Sequence, residues 1–202
     1  MKNLIHATAE IEEGSSLGAG TKVWANAHIR SEARIGKNVT IGEGVYIGPG
    51  VEIGDNCKIQ NLAQVFDPAK LGDGVFLGPG AVLTNDRLPR AVDPNLSSIS
   101  SIDWNPVGVI LENGCSIGAG AVCIAPLTVG KWSMVGAGSV VTRDVPDFCL
   151  VRGNPARFVG WVGKTGKALV EVGSENWECP DTGERFSIIE SKMMLVETAN
   201  GN

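Results

Sequence analysis

Residues 29–59 read IRSEARIGKNVTIGEGVYIGPGVEIGDNCKI, with an aliphatic residue at every sixth position. Followed outward, the row begins at Ile5, passes through Ile11, Leu17 and Val23, and runs unbroken to Leu77 and Leu83. A second row lies two residues earlier and is small or β-branched, as at Ala27, Ala33, Val39, Val45, Val51, Cys57 and Ala63. Helices repeat every 3.6 residues and strands every 2, so a sustained period of six is neither. A solenoid of short stacked strands does show it, because each repeat buries its apolar residue only against its neighbours. Glycine follows the aliphatic residue at Gly36, Gly42, Gly48 and Gly54, and Asn38, Gly44, Gly50 and Asn56 recur two positions later. Glycine and asparagine tolerate positive φ, so each six-residue side can turn a corner. Three sides make a coil, and residues 18 apart stack about 4.8 Å from one another.

The rhythm stops after Leu83 and resumes as Leu111, Ile117, Cys123, Val129, Val135 and Val141, with Val109, Cys115, Ala121, Leu127, Ser133, Ser139 and Val145 as its companion row. Residues 84–108 therefore leave the coil as a loop containing TNDRLPRAVDPN and SSIDWNP, turn-forming and charged rather than core-like. A long loop in a regular domain usually carries function. The repeat also falters where Gln60, Asn61 and Leu62, then Phe66, Asp67 and Pro68, replace the usual glycine-rich corners. Counting 18 forward puts Asp67 directly beneath Asn85, at the root of the loop. Departures from a strict repeat beside its one long insertion mark a site.

At 202 residues the chain is the size of one domain, or of one domain with a small appendage, and its formal net charge of −5 argues against nucleic-acid or membrane-surface partners. It contains no 18-residue apolar span and no signal-peptide core, so a cytoplasmic location is expected. Cys57, Cys115 and Cys123 fall in the inward rows and read as small buried hydrophobes, not a disulfide framework.

Beyond the repeat, KVWANAHI (22–29), CKIQN (57–61), GVFLGPGAVLTNDRLPRA (74–91) and VGAGSVVTRDVPDFCLVRGNPARFVGW (135–161) stand out. With the [LIV]-G-x-x-small-x pattern, the chain resembles the hexapeptide-repeat acyltransferases, and within them the nucleotide-sugar 3-N-acetyltransferases of surface-polysaccharide biosynthesis. The resemblance implies an all-β, left-handed parallel β-helix over residues 1–148, with 149–202 closing the cofactor cleft. It implies a homotrimer with sites between subunits, using acetyl-CoA as co-substrate and acting on a UDP- or dTDP-linked amino sugar.

It also supplies residue roles. Asn85 would sit near the reacting amine and carbonyl, able to orient or donate but not to act as a base, a turn asparagine capping the loop being the alternative. Asp67, placed beside it by the stacking, could accept from the amine, with a turn-forming role as the alternative. Gln60, Asn61, Asp86, Arg87 and Arg90 are candidate sugar-nucleotide contacts, arginine being suited to diphosphate, with a loop salt bridge as the alternative for the charged three. His28 matches a histidine of the relatives and is counted with them, a surface role being the alternative. Gly118, Ala119, Gly136 and Ala137 would line the pantetheine arm, with Asn154 in the segment that closes over it, and Lys131, Arg152 and Arg157 are candidates for the CoA phosphates, solvated surface charge being the alternative.

Relatives of this group often end in a zinc-ribbon-like tail with two cysteine pairs. Here Gly163, Thr165 and Thr182 stand where ligands would be and only Cys179 remains, so no metal is expected and a small hairpin of Trp177, Phe186, Ile188 and Ile189 is. Two histidines exclude the three-histidine zinc carbonic anhydrase of the same architecture. An O-acyltransferase or a non-catalytic scaffold on the same coil stay open as rivals.

Overall fold

A computed structural model describes residues 2–99, 104–190 and 192–198. It contains β-strands and turns and, among the described residues, no helix. Two-residue strands stack into three parallel sheets, one on each side of a triangular coil. The first face runs from Leu4–Ile5 up to Cys149–Gly153, the second from Glu10–Ile11 to Val140–Val141, and the third from Ser16–Leu17 to Leu127–Val129. Partners stand 18 apart, as in Lys22↔Thr40, His28↔Tyr46 and Arg34↔Glu52. This is the expected register, and it holds through the loop: Phe76 pairs with Ser116 and Val82 with Val122.

The inward rows fill the coil. Aliphatic and companion positions from Val23 to Val141 are buried, whereas Ile5 is 49% exposed because no coil lies beneath it. Buried Thr21 and Ser133 donate to the carbonyls of Gly36 and Gly130, so the core leaves no polar atom unpaired among the described residues. Burial pushes the Cys57 thiol up to about 11 and that of Cys123 to about 12, as expected of inert packing residues.

The last coil departs from the count. Met134 pairs with Leu150 and Val129 bridges to Val145, so this turn is two residues shorter than the others. Val145, expected in the companion row, takes the aliphatic position opposite Val129 instead. Parallel stacking continues past residue 148, through the strand Cys149–Gly153, which folds back as the antiparallel strand Ala156–Trp161. Beyond it lies a four-stranded antiparallel sheet, Val170–Gly173, Asn176–Glu178, Arg185–Ile189 and Lys192–Glu197, larger than the expected hairpin. Phe148 reaches from the coil into its core of Cys179, Phe186 and Met193.

Gly163, Thr165 and Thr182 do gather around Cys179. A Cβ on Gly163 would lie 3.1 Å from its Sγ, and Thr165 Oγ1 is 3.7 Å away. Burial would raise this thiol, but hydrogen bonds from Thr182, the amides of Asp181 and Thr182, and Thr165 outweigh it and hold it below the usual range.

Along the edge between the third and first faces, four Asx side chains cap an amide of the coil below. Asp55 Oδ1 accepts from Lys37 N, Asp73 Oδ1 from Asp55 N, Asn113 Oδ1 from Asp73 N and Asp147 Oδ1 from Lys131 N, at 2.7–2.9 Å. Asp73→Ala should cost about 1 kcal/mol by leaving the Asp55 amide without its partner, seen as a lowered midpoint in denaturant unfolding.

Candidate active site

The corner between the second and third faces carries Phe66, Asp67 and Pro68 in one coil and Thr84 and Asn85 in the next. Pairing of Gln64 with Val82 and of Val65 with Leu83 sets Asp67 one coil beneath Asn85. The loop is pinched at its neck by Val107 N, which donates to Asn85 O at 3.0 Å, while Thr84 N still donates to Cys123 O. The excursion is therefore residues 86–106, slightly shorter than the expected 84–108, and residues 100–103 of the SSIDWNP segment lie outside the described residues.

Unlike Asp55, Asn61, Asp73, Asn113 and Asp147, Asp67 and Asn85 cap no backbone amide among the described residues. One coil below Asp67 the equivalent position is Pro49, which has no N–H to cap. Asp67 Oδ1 instead lies over Gly48, 3.0 Å from where a Cβ would stand. Among the described residues neither side chain enters a hydrogen bond, and both are half-buried. A carboxylate and a carboxamide, one coil apart at a loop root and free of capping work, can accept from an amine and donate to a carbonyl oxygen. The Pro49 signal was available in the sequence: a proline beneath an Asx corner cancels the capping role.

The remaining candidates distribute unevenly. Asp86 is engaged inside the loop, accepting from Leu88 N at 2.9 Å and from Trp104 Nε1 at 3.1 Å, so it shapes the loop. Arg87 and Arg90 line a cleft of about 290 Å³ with Asp86, Trp104 and Asn105. Gln60 and Asn61 stand on a different corner, between the first and second faces, and Asn61 Oδ1 caps Glu43 N. One strand of the second face separates them from Asp67, on the order of 15 Å.

His28 lies on the second face two coils below Gln64, about 10 Å along the axis from Asp67. It is 3.0 Å from Glu12 Oε1, which also accepts from Arg30, while Glu12 Oε2 accepts from Ser31 N. The Ser31 amide chiefly, with His28 and Arg30, holds Glu12 below the usual carboxylate range. Arg30 in turn donates to Tyr46 Oη at 3.2 Å, and Tyr46 packs on Phe66 with ring centroids 5.3 Å apart. Sequence reading missed this network because its members come from three coils.

Gly118, Ala119, Gly136 and Ala137 share the corner of Gln60 and Asn61, where Gly80, Gly120 and Gly138 leave open space. A Cβ on Gly118 would stand 2.4 Å from Ala137 N, so only backbone fits that edge. Arg152 caps the column, its Cβ 2.9 Å from a Cβ built on Gly136. Asn154 is in the turn that follows, and Arg157 pairs across from Arg152 and borders an apolar cleft of about 300 Å³ with Arg143 and Phe158. Lys131 is not with them: it stands one corner away, its amide bound to Asp147.

A three-sided parallel coil with one loop and an unengaged Asp–Asn pair defines the class, a β-solenoid with a site at its corner. The bacterial transferase hexapeptide description matches residues 32–67 and 50–85, and the hexapeptide repeat of succinyl-transferase matches 107–143. These matches identify the coil as hexapeptide-transferase repeats, the left-handed β-helix of that family.

Among curated relatives, it is 57% identical over 53 residues (26% of this chain) to a dTDP-3-amino-3,6-dideoxy-α-D-galactopyranose 3-N-acetyltransferase from Aneurinibacillus thermoaerophilus. It is 35% identical over 88 residues (43% of this chain) to serine acetyltransferase from Bacillus subtilis. The chain spans only 28% and 39% of the lengths of these two relatives. Its fold matches a hexapeptide transferase family protein from Anaplasma phagocytophilum, with a TM-score of 0.53, 21% identity and 81% of each chain covered. An N-acyltransferase from Bacillus cereus matches with a TM-score of 0.50 and 21% identity, over 81% of this chain and 83% of that one.

Because Asp67 and Asn85 cap nothing, Asp67→Ala and Asn85→Ala should shift stability by less than about 0.5 kcal/mol. A loss as large as that of Asp73→Ala in parallel denaturant unfolding would reassign them to the fold.

Proposed function

We propose that the protein is a cytoplasmic N-acetyltransferase that moves acetyl from acetyl-CoA to the C3 amine of a UDP- or dTDP-linked amino sugar. The observation that carries the substrate class is the 57% identity over 53 residues with an enzyme named for that reaction. Five free, buried cysteines fit a reducing compartment.

In this reading Asn85 and Asp67 hold the sugar amine. A neutral amine needs positioning more than a strong base, so an Asn–Asp pair without histidine suffices. The new C–N bond forms as the C–S bond breaks, and the amine proton leaves to the departing thiolate. Asp67 accepts a hydrogen bond from the amine and fixes its lone pair toward the carbonyl carbon. Asn85 Nδ2 donates to the oxygen on which charge develops. The glycine-lined corner at Gly118, Ala119, Gly136 and Ala137 would hold an extended arm by backbone and shape, with Arg152 at its upper end. Arg87 and Arg90 would take the diphosphate.

Within one chain the second face divides this corner from that of Asp67 and Asn85. The two halves meet if a neighbouring copy supplies one of them, which is why a homotrimer with sites between subunits belongs to the proposal.

Asn85→Ala should lower turnover tenfold or more, read as thiol release with acetyl-CoA and a panel of nucleotide amino sugars, while mass and melting stay unchanged. Ala119→Trp, at an exposed corner, should also be inactive. Mixing the two under subunit exchange should recover part of the activity, whereas a site contained in one chain would recover none.

A further inference from the structure

The carboxylate of Asp67 accepts no hydrogen bond among the described residues, so packing fixes where it points. Its support comes from one short segment, the strand Tyr46–Ile47 and the glycine that follows. Along this corner the residue after each aliphatic position reads Glu12, Arg30, Gly48, Phe66 and Thr84, which puts a glycine directly beneath Phe66. A Cβ on Gly48 would lie 2.7 Å from Asp67 N and 3.0 Å from Asp67 Oδ1. The gap that this glycine leaves is crossed by the ring of Tyr46. Its hydroxyl accepts from Arg30 Nη1 at 3.2 Å in the coil below. Its ring packs on Phe66 in the coil above, with centroids 5.3 Å apart and planes tilted by 45°.

Tyr46 is itself clamped. Arg30 donates to Glu12 Oε1, Glu12 Oε2 accepts from Ser31 N at 2.8 Å, and the ring of His28 stands edge-on to Tyr46 at 5.9 Å. One residue from each of four successive coils, Glu12, Arg30, Tyr46 and Phe66, thus joins a column of contacts that ends one residue before Asp67. A phenylalanine at position 46 would fill the same gap, so filling alone does not call for the hydroxyl. The hydroxyl ties the ring to a guanidinium that Glu12 already holds.

We propose that Tyr46 is a positioning residue: held by Arg30 and Glu12, its ring braces Phe66 and so aims the Asp67 carboxylate at the sugar amine. This role rests on the reading in which Asp67 receives that amine. A reacting group displaced by about 1 Å can lose on the order of a hundredfold in rate, so a carboxylate without a hydrogen bond of its own depends on what its neighbours hold still.

The test is a double-mutant cycle on the full chain with Tyr46→Leu and Asp67→Ala, read as thiol release from acetyl-CoA with a nucleotide amino sugar. Crystal structures of wild type and Tyr46→Leu accompany it. Tyr46→Leu should lower kcat about tenfold with the KM for acetyl-CoA unchanged, but less than about twofold once Asp67 is alanine. A merely structural role would cost the same factor in both backgrounds, and that result overturns the proposal. Tyr46→Phe, which keeps the ring and loses the tether, should fall between wild type and Tyr46→Leu. If the leucine variant does not fold, the phenylalanine variant carries both the cycle and the crystal structure. The Asp67 carboxylate should stand about 1 Å or more from its wild-type position in the variant. A carboxylate left in place overturns the proposal as well. If wild type transfers acetyl to no nucleotide amino sugar while the carboxylate does move, the brace stands and the enzymatic reading falls instead.

Discussion

Everything in this protein depends on one coil resting on the backbone of the next. Gly36 N donates to Ile53 O, Gly54 N to Leu71 O and Gly72 N to Leu111 O, each at 2.8 Å. The last of these bonds spans the loop without a change of length, so the insertion costs the ladder nothing. At Gly118 such close stacking leaves no room for a side chain, since a Cβ would stand 2.4 Å from Ala137 N. Glycine at that place, a left-handed residue after it and a six-residue rhythm all follow from a single packing distance.

A ladder this complete makes unassigned groups conspicuous. Asp55, Asn61, Asp73, Asn113 and Asp147 each spend an oxygen on the amide below. Pro49 removes that amide beneath Asp67, and the loop begins at Asn85, so two adjacent polar side chains are released from the fold. Their availability is thus a consequence of sequence changes in neighbouring coils as much as of the two residues themselves. The same logic separates Asp86, held by Leu88 and Trp104, from the residues that can meet a ligand.

Backbone strain tells a parallel story for the outer surface. A left-handed aromatic is tolerated at Phe148 because the tail covers it, and the tail in turn is anchored to the coil there. Leu62 and Leu96 share the strain without the cover.

The three-sided coil, its register and the level of Asp67 beneath Asn85 were legible in the sequence because an eighteen-residue period leaves each coil one place to sit. The tertiary structure decided what that ruler does not measure. It shortened the final turn by two residues and moved Val145 to face Val129, a change disguised by valine being acceptable in either row. It placed Lys131 on a different corner from Gly118 and Ala119, separated Gln60 and Asn61 from Asp67, and tied His28 into the Glu12–Arg30–Tyr46 network. It also built a four-stranded sheet from a tail without repeat. Inward positions obey the period because the core admits only small and aliphatic residues at fixed heights. Outward side chains and the loop answer to neighbours from other coils, and those contacts exist only once the chain is folded.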